Sequence, residues 1–272
     1  MKDFSASPVE MFVSLWRNRL LIGSLTKREV IGRYRGSFLG IFWSFFNPMF
    51  MLAIYSFVFG EVFNSRWAGG SDSKGEFALV LFAGLIMFNL FAECISRAPT
   101  LVLSNANYVK KVIFPLEIFP WITVGCALFH AAVSMLVWFI AYGLMFGMPH
   151  LTVLMFPIVF LPFIFLIVGL TCLLSSLGVF LRDIGQMIGI LITAMMFLSP
   201  LFFPISALPE SYRSFLQFNP ITIPIQQLRE VLFWGREPDW MLLGIYSGVS
   251  LVLAWLAFAF FQKSRKGFAD VI

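Results

Sequence analysis

The longest uncharged stretch of the chain, residues 118–181, contains 64 residues and no aspartate, glutamate, lysine or arginine. One membrane-spanning helix needs about 20 apolar residues, so this stretch is too long for a single helix. Gly147-Met148-Pro149-His150 interrupts it, because glycine and proline favour turns. The whole chain is only 12% charged, whereas soluble domains contain roughly 25% charged residues. These features predict a helical protein that crosses a membrane several times.

The hydrophobic segments predict an all-α polytopic membrane protein with six transmembrane helices in one domain, residues 37–262. Of the 19 lysines and arginines, 13 fall on the side of the two termini. By the positive-inside rule, both termini are therefore expected in the cytoplasm, including the tail 263–272, with the chain in the inner membrane. The spans are expected at about 37–63, 77–98, 117–146, 151–181, 184–204 and 240–262.

Residues 1–36 form the segment before the first predicted span. Ser7-Pro8-Val9-Glu10 is a capping box, and the apolar stripe after it predicts an amphipathic helix in the cytoplasmic membrane interface. A basic segment follows, and it is either an anchor for anionic lipids or an entrance for substrate. The net charge of +5 lies beside the hydrophobic segments, which favours contact with membrane lipids over a nucleic-acid partner. The candidate entrance residues are Trp16, Arg28, Arg33, Tyr34 and Arg35.

The sequence has no G-x-x-x-x-G-K-S/T pattern, which a chain needs to bind ATP phosphates through a P-loop. His130 is the ionisable residue placed most clearly inside a predicted span. We expect it to make interhelical hydrogen bonds rather than to carry protons. A separate ATP-hydrolysing subunit is therefore the favoured source of energy for transport. We expect no catalytic residue, metal site or cofactor in this chain.

The loop 104–116, between the second and third predicted spans, is short and basic. It is either a rigid contact for the ATP-hydrolysing subunit, with Tyr108, Val112 and Phe114 in a hydrophobic groove of that partner, or an ordinary basic turn. Arg182 and Asp183 follow the fourth predicted span and either bind the same partner or pair with neighbours. The candidate coupling residues are Asn105, Tyr108, Lys110, Lys111, Phe114, Arg182 and Asp183.

Four segments, in order along nearly the whole chain, resemble the membrane subunits of ABC-2 type polysaccharide exporters. They are Arg28-Glu29-Val30 with 33–40 and then Trp43, Asn47 and Pro48; 105–115; 180–184; and Ser199-Pro200 with Pro204. The resemblance implies a non-catalytic permease subunit that exports lipid-linked polysaccharide of the O-antigen, capsule or teichoic-acid type. It also implies a homodimer that works with two copies of an ABC ATP-binding subunit, which would hold the ATP and Mg²⁺.

Aromatic residues are frequent in the first and fifth predicted spans. Sugars present C–H faces that pack on aromatic rings, so such residues suit the lining of a polysaccharide path. Contact with lipid or with neighbouring helices is the alternative for each ring. The resemblance implies that these two spans line the path, and the candidates are Phe42, Trp43, Phe46, Tyr55, Phe197, Phe202 and Phe203.

The periplasmic segment 205–239 has apolar residues at helical spacing, namely Ile221, Ile225, Leu228 and Leu232. The pattern predicts short re-entrant helices before the last span, acting as an outer gate. Two interfacial helices anchored by tryptophans are the alternative. Arg229 belongs to the candidate gate and could meet sugar hydroxyls or solvent.

Two other functions fit the sequence. An ABC-2 exporter of drugs or small lipids would have the same spans and would differ in the substrate that it moves. A membrane-embedded enzyme acting on lipid-linked sugars would need paired acid and base groups at one depth in the membrane. Asp183 and Glu117 do not obviously form such a pair.

Overall fold

The computed structural model describes residues 5–63, 67, 74–110, 114–207 and 209–272, and the regular elements in these ranges are helices. The α-helices α1 to α12 are Pro8–Arg17, Arg19–Tyr34, Trp43–Tyr55, Lys74–Arg97, Ala106–Val109, Ile118–Phe146, Phe156–Phe180, Ile184–Phe197, Glu210–Gln217, Thr222–Arg229, Trp240–Ser264 and Phe268–Val271. Stretches of π-helix continue α3 and α10, over Ser56–Val62 and Glu230–Trp234. Short 3₁₀ turns lie at Gly40–Phe42, Ala98–Thr100, Leu103–Asn105, Leu151–Met155, Ile205–Ala207 and Arg265–Gly267.

Five helical stretches in the described ranges are long and apolar enough to cross a membrane. They coincide with predicted spans one to four and six: Gly40–Val62, Gly75–Thr100, Ile118–Phe146, Leu151–Phe180 and Trp240–Val271.

The predicted fifth span, 184–204, is shorter in the structure than the sequence indicates. Its helix, α8, has 14 residues, which at 1.5 Å per residue is about 21 Å and less than the roughly 30 Å of a hydrocarbon core. The helix ends at Phe197, two residues before Ser199-Pro200. Proline disfavours the helical conformation in the residue before it, so the helix stops ahead of Pro200. The apolar run continues beyond the end of the helix.

The two ends of the bundle are defined by contacts between helix termini. Gly178, near the end of α7, packs against Pro99, just after α4. Phe268, just after α11, contacts Phe180, the last residue of α7, with ring centroids 6.0 Å apart. Helices α4, α7 and α11 therefore finish at one end, which we call the tail end. The opposite end, where α3, α6 and α8 finish, is the far end.

Helix α4 lies at the centre of the bundle. Its residues 75–88 are all buried, mainly against α6, α10 and the π-helical continuation of α3. A helix that is apolar on all sides is stable when neighbouring helices cover each face. Trp138 of α6 also donates its indole N–H to the Leu79 carbonyl at 3.0 Å. Asn89 is the first exposed residue after this run and lies on the polar side of the helix, while the following Leu90 and Phe91 are buried again.

Helix α1 begins as the sequence predicts. Ser7 is the N-cap of α1, and its hydroxyl accepts a hydrogen bond from the Glu10 backbone N–H at 3.1 Å. Helix α1 buries Met11 and Ser14, with Met11 packed in a small cluster with Ala254 and Phe258 of α11. The helix is thus attached to the bundle through one narrow face.

Substitution of Gly169 is expected to separate α7 from α11. A Cβ added to Gly169 would lie 2.7 Å from the Cα of Ala254, inside the normal contact distance. Overpacking of this kind costs about 1–3 kcal/mol, so Gly169→Val should lower the thermal unfolding temperature of the purified protein in detergent. Gly143→Val on α6 is the matched control, because a Cβ there meets nothing within 4 Å. Equal unfolding temperatures for the two variants would contradict this packing.

Candidate functional site

A polar groove runs along one side of α4 and is the candidate functional site. Helices α2, α3, α4, α6 and α8 border its cavity of about 610 Å³. Polar side chains in transmembrane helices are costly in lipid, so their clustering on one groove marks a path for a polar substrate or ion. The polar lining consists of Arg33, Tyr34, Ser44, Asn47, Asn89, Glu93, Ser96, His130 and Ser134.

Charged and aromatic residues tie three helices together at the tail side of the groove. Glu93 of α4 forms an ion pair with Arg33 of α2 at 2.7 Å and contacts His130 Nδ1 of α6 at 2.8 Å. The Tyr34 hydroxyl lies 3.1 Å from His130 Nε2. We call these four residues the Glu93 cluster. His130 therefore makes interhelical hydrogen bonds, as the sequence predicts.

One neutral tautomer of His130 fits its contacts with Tyr34 and Glu93, while Arg33 Nη1 also lies 3.3 Å from Nδ1. Burial raises the pKa of the Tyr34 phenol, so the hydroxyl stays protonated at neutral pH and can donate to Nε2. The ring hydrogen then lies on Nδ1 and is donated to Glu93. Glu93 and His130 are a carboxylate–imidazole pair that the sequence analysis did not find. Because Arg33 and Tyr34 hold both members, the pair links helices rather than forming a free acid and base.

Glu93 and Asn89 are the groove residues that sequence reasoning missed. They lie four positions apart on α4, and Arg97 follows after four more, so all three share one helical face. This spacing of polar residues within an apolar helix could have identified a polar helix face from the sequence. The structure places Glu93 in the groove wall.

The candidate path aromatics occupy mixed environments. Tyr55 lines the groove, whereas Phe42, Trp43 and Phe197 are exposed on the surface of the chain. Phe46, Phe202 and Phe203 are half-buried. Among the described residues that line the groove, Tyr55 is the one that belongs to this candidate set. The groove thus combines polar and apolar side chains, and the path-lining role of the candidate aromatic residues stays a prediction.

Aromatic rings instead join α3 and α8 at the far end. Phe59, in the π-helical continuation of α3, lies 6.1 Å from Phe202 and 5.3 Å from Phe77 of α4. Phe197 of α8 lies 6.2 Å from Phe202. These contacts give Phe202 a packing role at the point where the two helices finish.

The candidate entrance residues separate into two sites. Arg33 and Tyr34 line the groove. Arg28 lines a second cavity of about 340 Å³, where it lies with Asn105 and Tyr108 of the candidate coupling set. An ion pair between Arg97 and Glu29 borders this cavity. Trp16 and Arg35 are exposed and line neither cavity. The Arg19 guanidinium lies 4.6 Å from the centre of the Trp16 ring.

The coupling loop is held by internal packing. The Tyr108 ring lies 4.4 Å from Phe114, and Phe114 lies 5.4 Å from Phe119 of α6. Both side chains are half-buried, and their insertion into a partner's groove stays a prediction beside this packing within the chain. Asn105 donates its side-chain amide to the Leu101 carbonyl at 2.9 Å.

The charged coupling candidates are more accessible. Lys110, Arg182 and Asp183 are all exposed, which suits contact with a partner at the tail end. Lys111 and Val112 lie outside the described residues.

The candidate outer gate is a buried unit at the far end. The side chains of Ile221, Ile225, Leu228 and Leu232 are fully buried, and α10 packs against α4 and α7. Continuous burial on protein is what a helix of this kind needs if it enters the membrane.

Arg229 departs from the expectation that it meets sugar hydroxyls or solvent. Its side chain is buried, and the guanidinium donates to the carbonyls of Val80 at 2.8 Å, Pro200 at 2.5 Å and Leu201 at 2.9 Å. It also lies 4.5 Å from the centre of the Trp67 ring. These bonds connect α10 with α4 and with the segment that follows α8.

The helical bundle, with five stretches long and apolar enough to cross a membrane in the described ranges, defines a multi-pass membrane protein. The model of the ABC-2 type transporter family matches residues 21–233. This match covers most of the chain, which therefore belongs to the ABC-2 type transporter family.

Three curated relatives illustrate the family. The chain is 30% identical to the O-antigen export system permease protein RfbA of Myxococcus xanthus, over 97% of this chain and 100% of that protein. It is 26% identical to the O-antigen export system permease protein RfbA of Klebsiella pneumoniae, over 93% of this chain and 95% of the relative. It is 23% identical to the polysialic acid transport protein KpsM of Escherichia coli, over 91% and 95% respectively.

Proposed function

We propose that this chain is the permease subunit of an ATP-driven exporter that moves a lipid-linked polysaccharide across the inner membrane. The observation that carries the proposal is the polar groove of about 610 Å³ beside the central helix. Hydroxyl and amide groups line it, and these groups can exchange hydrogen bonds with successive sugars. The names of the relatives, O-antigen export permease and polysialic acid transport protein, support a glycan as the substrate.

The proposed subunit crosses the membrane six times, with α8 and residues 198–204 forming the fifth crossing. Both termini then lie in the cytoplasm, so the tail end faces the cytoplasm and the far end faces the periplasm. The 13 basic residues on the side of the termini support this orientation. The segment 205–239 would be a re-entrant outer gate, which the burial of α10 supports.

The proposed assembly contains two copies of this chain and two ATP-binding subunits that hold the ATP and Mg²⁺. Large apolar side chains are exposed on α8, such as Met187 and Ile190, and on the π-helical continuation of α3, such as Phe57. Packing of these surfaces between two copies supports a symmetric pair. Lys110, Arg182 and Asp183 would contact the ATP-binding subunits at the tail end. Closure of those subunits would move the loop 104–116 and thereby α4 and the groove.

Reconstitution of the complex tests the proposed function. The chain is co-purified with its ATP-binding subunit, and ATP-dependent movement of lipid-linked glycan is measured in proteoliposomes. Export that stops when the ATPase is inactivated is the expected result. Transport of small amphiphiles without glycan would overturn the polysaccharide assignment in favour of the drug or small-lipid exporter. Chemical alteration of the lipid-linked sugar would favour the enzyme.

Filling the groove is expected to block export. Asn89→Trp places an indole in the cavity next to the Glu93 cluster, and a barrier raised by about 1.4 kcal/mol already slows a rate tenfold. We therefore expect glycan export below about a tenth of the wild-type rate, with normal membrane insertion. Leu136→Trp on α6 is the control, because Leu136 is exposed outside the groove. Wild-type export by Asn89→Trp would contradict a path through this groove.

A further inference from the structure

A third cavity, which we call the outer pocket, lies at the far end of the molecule. Its volume is about 250 Å³, and it shares no described lining residue with the polar groove. Its lining comes from the segment after α8, from α10 with its π-helical continuation, and from Trp67. The side chains that matter are Trp67, Ser206, Gln226, Glu230, Trp234 and Arg236.

The walls of the outer pocket are fixed by Arg229. Its three hydrogen bonds to backbone carbonyls join α10 to Val80 of α4 and to Pro200 and Leu201. The same guanidinium packs against the ring of Trp67. Pro200 and Trp67 both line the pocket. A ligand would therefore enter a site whose walls are already ordered, which lowers the entropic cost of binding.

Several polar groups of the outer pocket remain available to a ligand. The Gln226 amide and the Ser206 hydroxyl have no hydrogen-bond partner among the residues that the structure describes. Within the same set, Glu230 Oε2 is buried and makes no hydrogen bond, and Arg236 Nη1 lies 3.5 Å from it. An amide, a hydroxyl and a carboxylate together provide donors and acceptors for a group with several hydroxyls.

The chemistry of the lining favours a sugar ring. Two indoles offer flat surfaces for the C–H face of a pyranose, and the polar groups can bond to its edge. Glu230 and Arg236 form an ion pair, and the guanidinium of Arg229, which also lines the pocket, bonds to backbone carbonyls. The volume is below the roughly 300–1,000 Å³ of typical small-molecule sites, which suits one ring. A lipid tail would leave the polar groups without partners.

We propose that the outer pocket binds one sugar ring of the transported glycan at the far end of the protein. This inference rests on the proposed function, which places the far end on the periplasmic side. A chain that emerges from the groove would meet the pocket next to the end of α8. Binding there would hinder the emerged chain from sliding back.

Saturation-transfer NMR on the full-length protein in lipid nanodiscs tests the outer pocket. The probes are free D-glucose, D-galactose, D-mannose and N-acetyl-D-glucosamine, with glycerol as a polyol without a ring. We expect transfer to the ring C–H protons of at least one sugar and none to glycerol. Trp234→Leu should weaken that binding about tenfold, because an aromatic contact of about 1.4 kcal/mol corresponds to that ratio. Gln226→Leu, which removes hydrogen-bonding groups from a half-buried side chain, should also weaken it.

Two control variants lie at the same end and outside the pocket. Trp240→Leu removes an exposed tryptophan, and Gln217→Leu makes the glutamine change on the exposed surface of α9. Both are expected to bind sugar as the wild type does. Failure of every sugar to bind the wild-type protein would overturn the inference. Equal binding by Trp234→Leu and Gln226→Leu would overturn it as well.

The parallel export assay separates the pocket from the proposed function. Glycan export by the wild-type complex without sugar binding in nanodiscs would overturn the pocket and leave the exporter in place. Sugar binding that depends on Trp234, together with a wild-type complex that exports no glycan, would support the sugar site and overturn the exporter.

Discussion

Arg229→Leu is expected to prevent accumulation of folded protein. The substitution removes the buried guanidinium that donates to the carbonyls of Val80, Pro200 and Leu201. Each buried carbonyl that loses its partner costs about 1–3 kcal/mol, so three of them cost roughly 3 kcal/mol or more. That is a large share of the stability of a folded domain. The measurement is the yield and the thermal unfolding temperature of the protein in detergent.

Two further variants isolate the contribution of these hydrogen bonds. Arg236→Leu removes an arginine from the same segment whose side chain is largely exposed, and an exposed ion pair contributes about 0–1 kcal/mol. Its unfolding temperature should stay near that of the wild type. Gly84→Ala keeps the arginine but adds a Cβ 2.6 Å from its Nη2, so it should destabilise to an intermediate degree. Wild-type stability of Arg229→Leu would show that the three carbonyls find other partners.

The difference between the two arginines shows what sequence alone could not resolve. Hydropathy treats Arg229 and Arg236 as equivalent charges in a loop between spans. The distinction depends on carbonyls of Val80 and Leu201, which are remote along the chain. Residues 198–204 follow the end of α8 and lie outside the helix, so their carbonyls have no intrahelical partners. Arg229 supplies donors to two of them, and this pairing exists only in the folded chain.

The membrane architecture was easier to predict than the groove. Long apolar stretches locate five spans within a few residues, because the thickness of the bilayer sets the length of each helix. The helix of span five ends before the predicted span does, because composition does not show where a helix stops within an apolar run. The Glu93 cluster joins residues 37 and 97 positions apart. Such contacts depend on how helices are arranged around α4, and the pattern within any one helix does not specify this.

The Glu93 cluster also relates the groove to the proposed movement of the loop 104–116. Arg33 and Tyr34 are the last residues of α2 and contact the groove wall, whereas Arg28 and Glu29 on the same helix border the cavity beside Asn105 and Tyr108. Helix α2 thus contacts both the candidate coupling loop and the candidate path. Displacement of the loop would act on α2 directly, and the Arg33–Glu93 ion pair would transmit that displacement to α4.

Glu117→Leu is expected to destabilise the tail end more than the double variant Glu117→Leu/Arg265→Leu. Arg265 forms a buried ion pair with Glu117 at 2.6 Å and donates to the Phe114 carbonyl at 2.6 Å. The Ser14 hydroxyl also donates to Glu117, at 3.3 Å. Removing only Glu117 leaves the Arg265 charge buried without its carboxylate, which costs about 3–5 kcal/mol. Removing both charges avoids most of that penalty, although Phe114 loses a hydrogen bond.

Glu117 lies where α1, α6 and the end of α11 meet, so the prediction is checked by measuring the stability of the folded protein. Thermal unfolding in detergent should rank the wild type first, the double variant second and Glu117→Leu last. Glu10→Leu, which breaks the more exposed ion pair with Arg17, is the matched control and should change stability by less than about 1 kcal/mol. A double variant as unstable as Glu117→Leu would show that the lost Phe114 contact, and not the buried charge, controls the junction. In that case the coupling loop depends on Arg265 as a hydrogen-bond donor to its backbone.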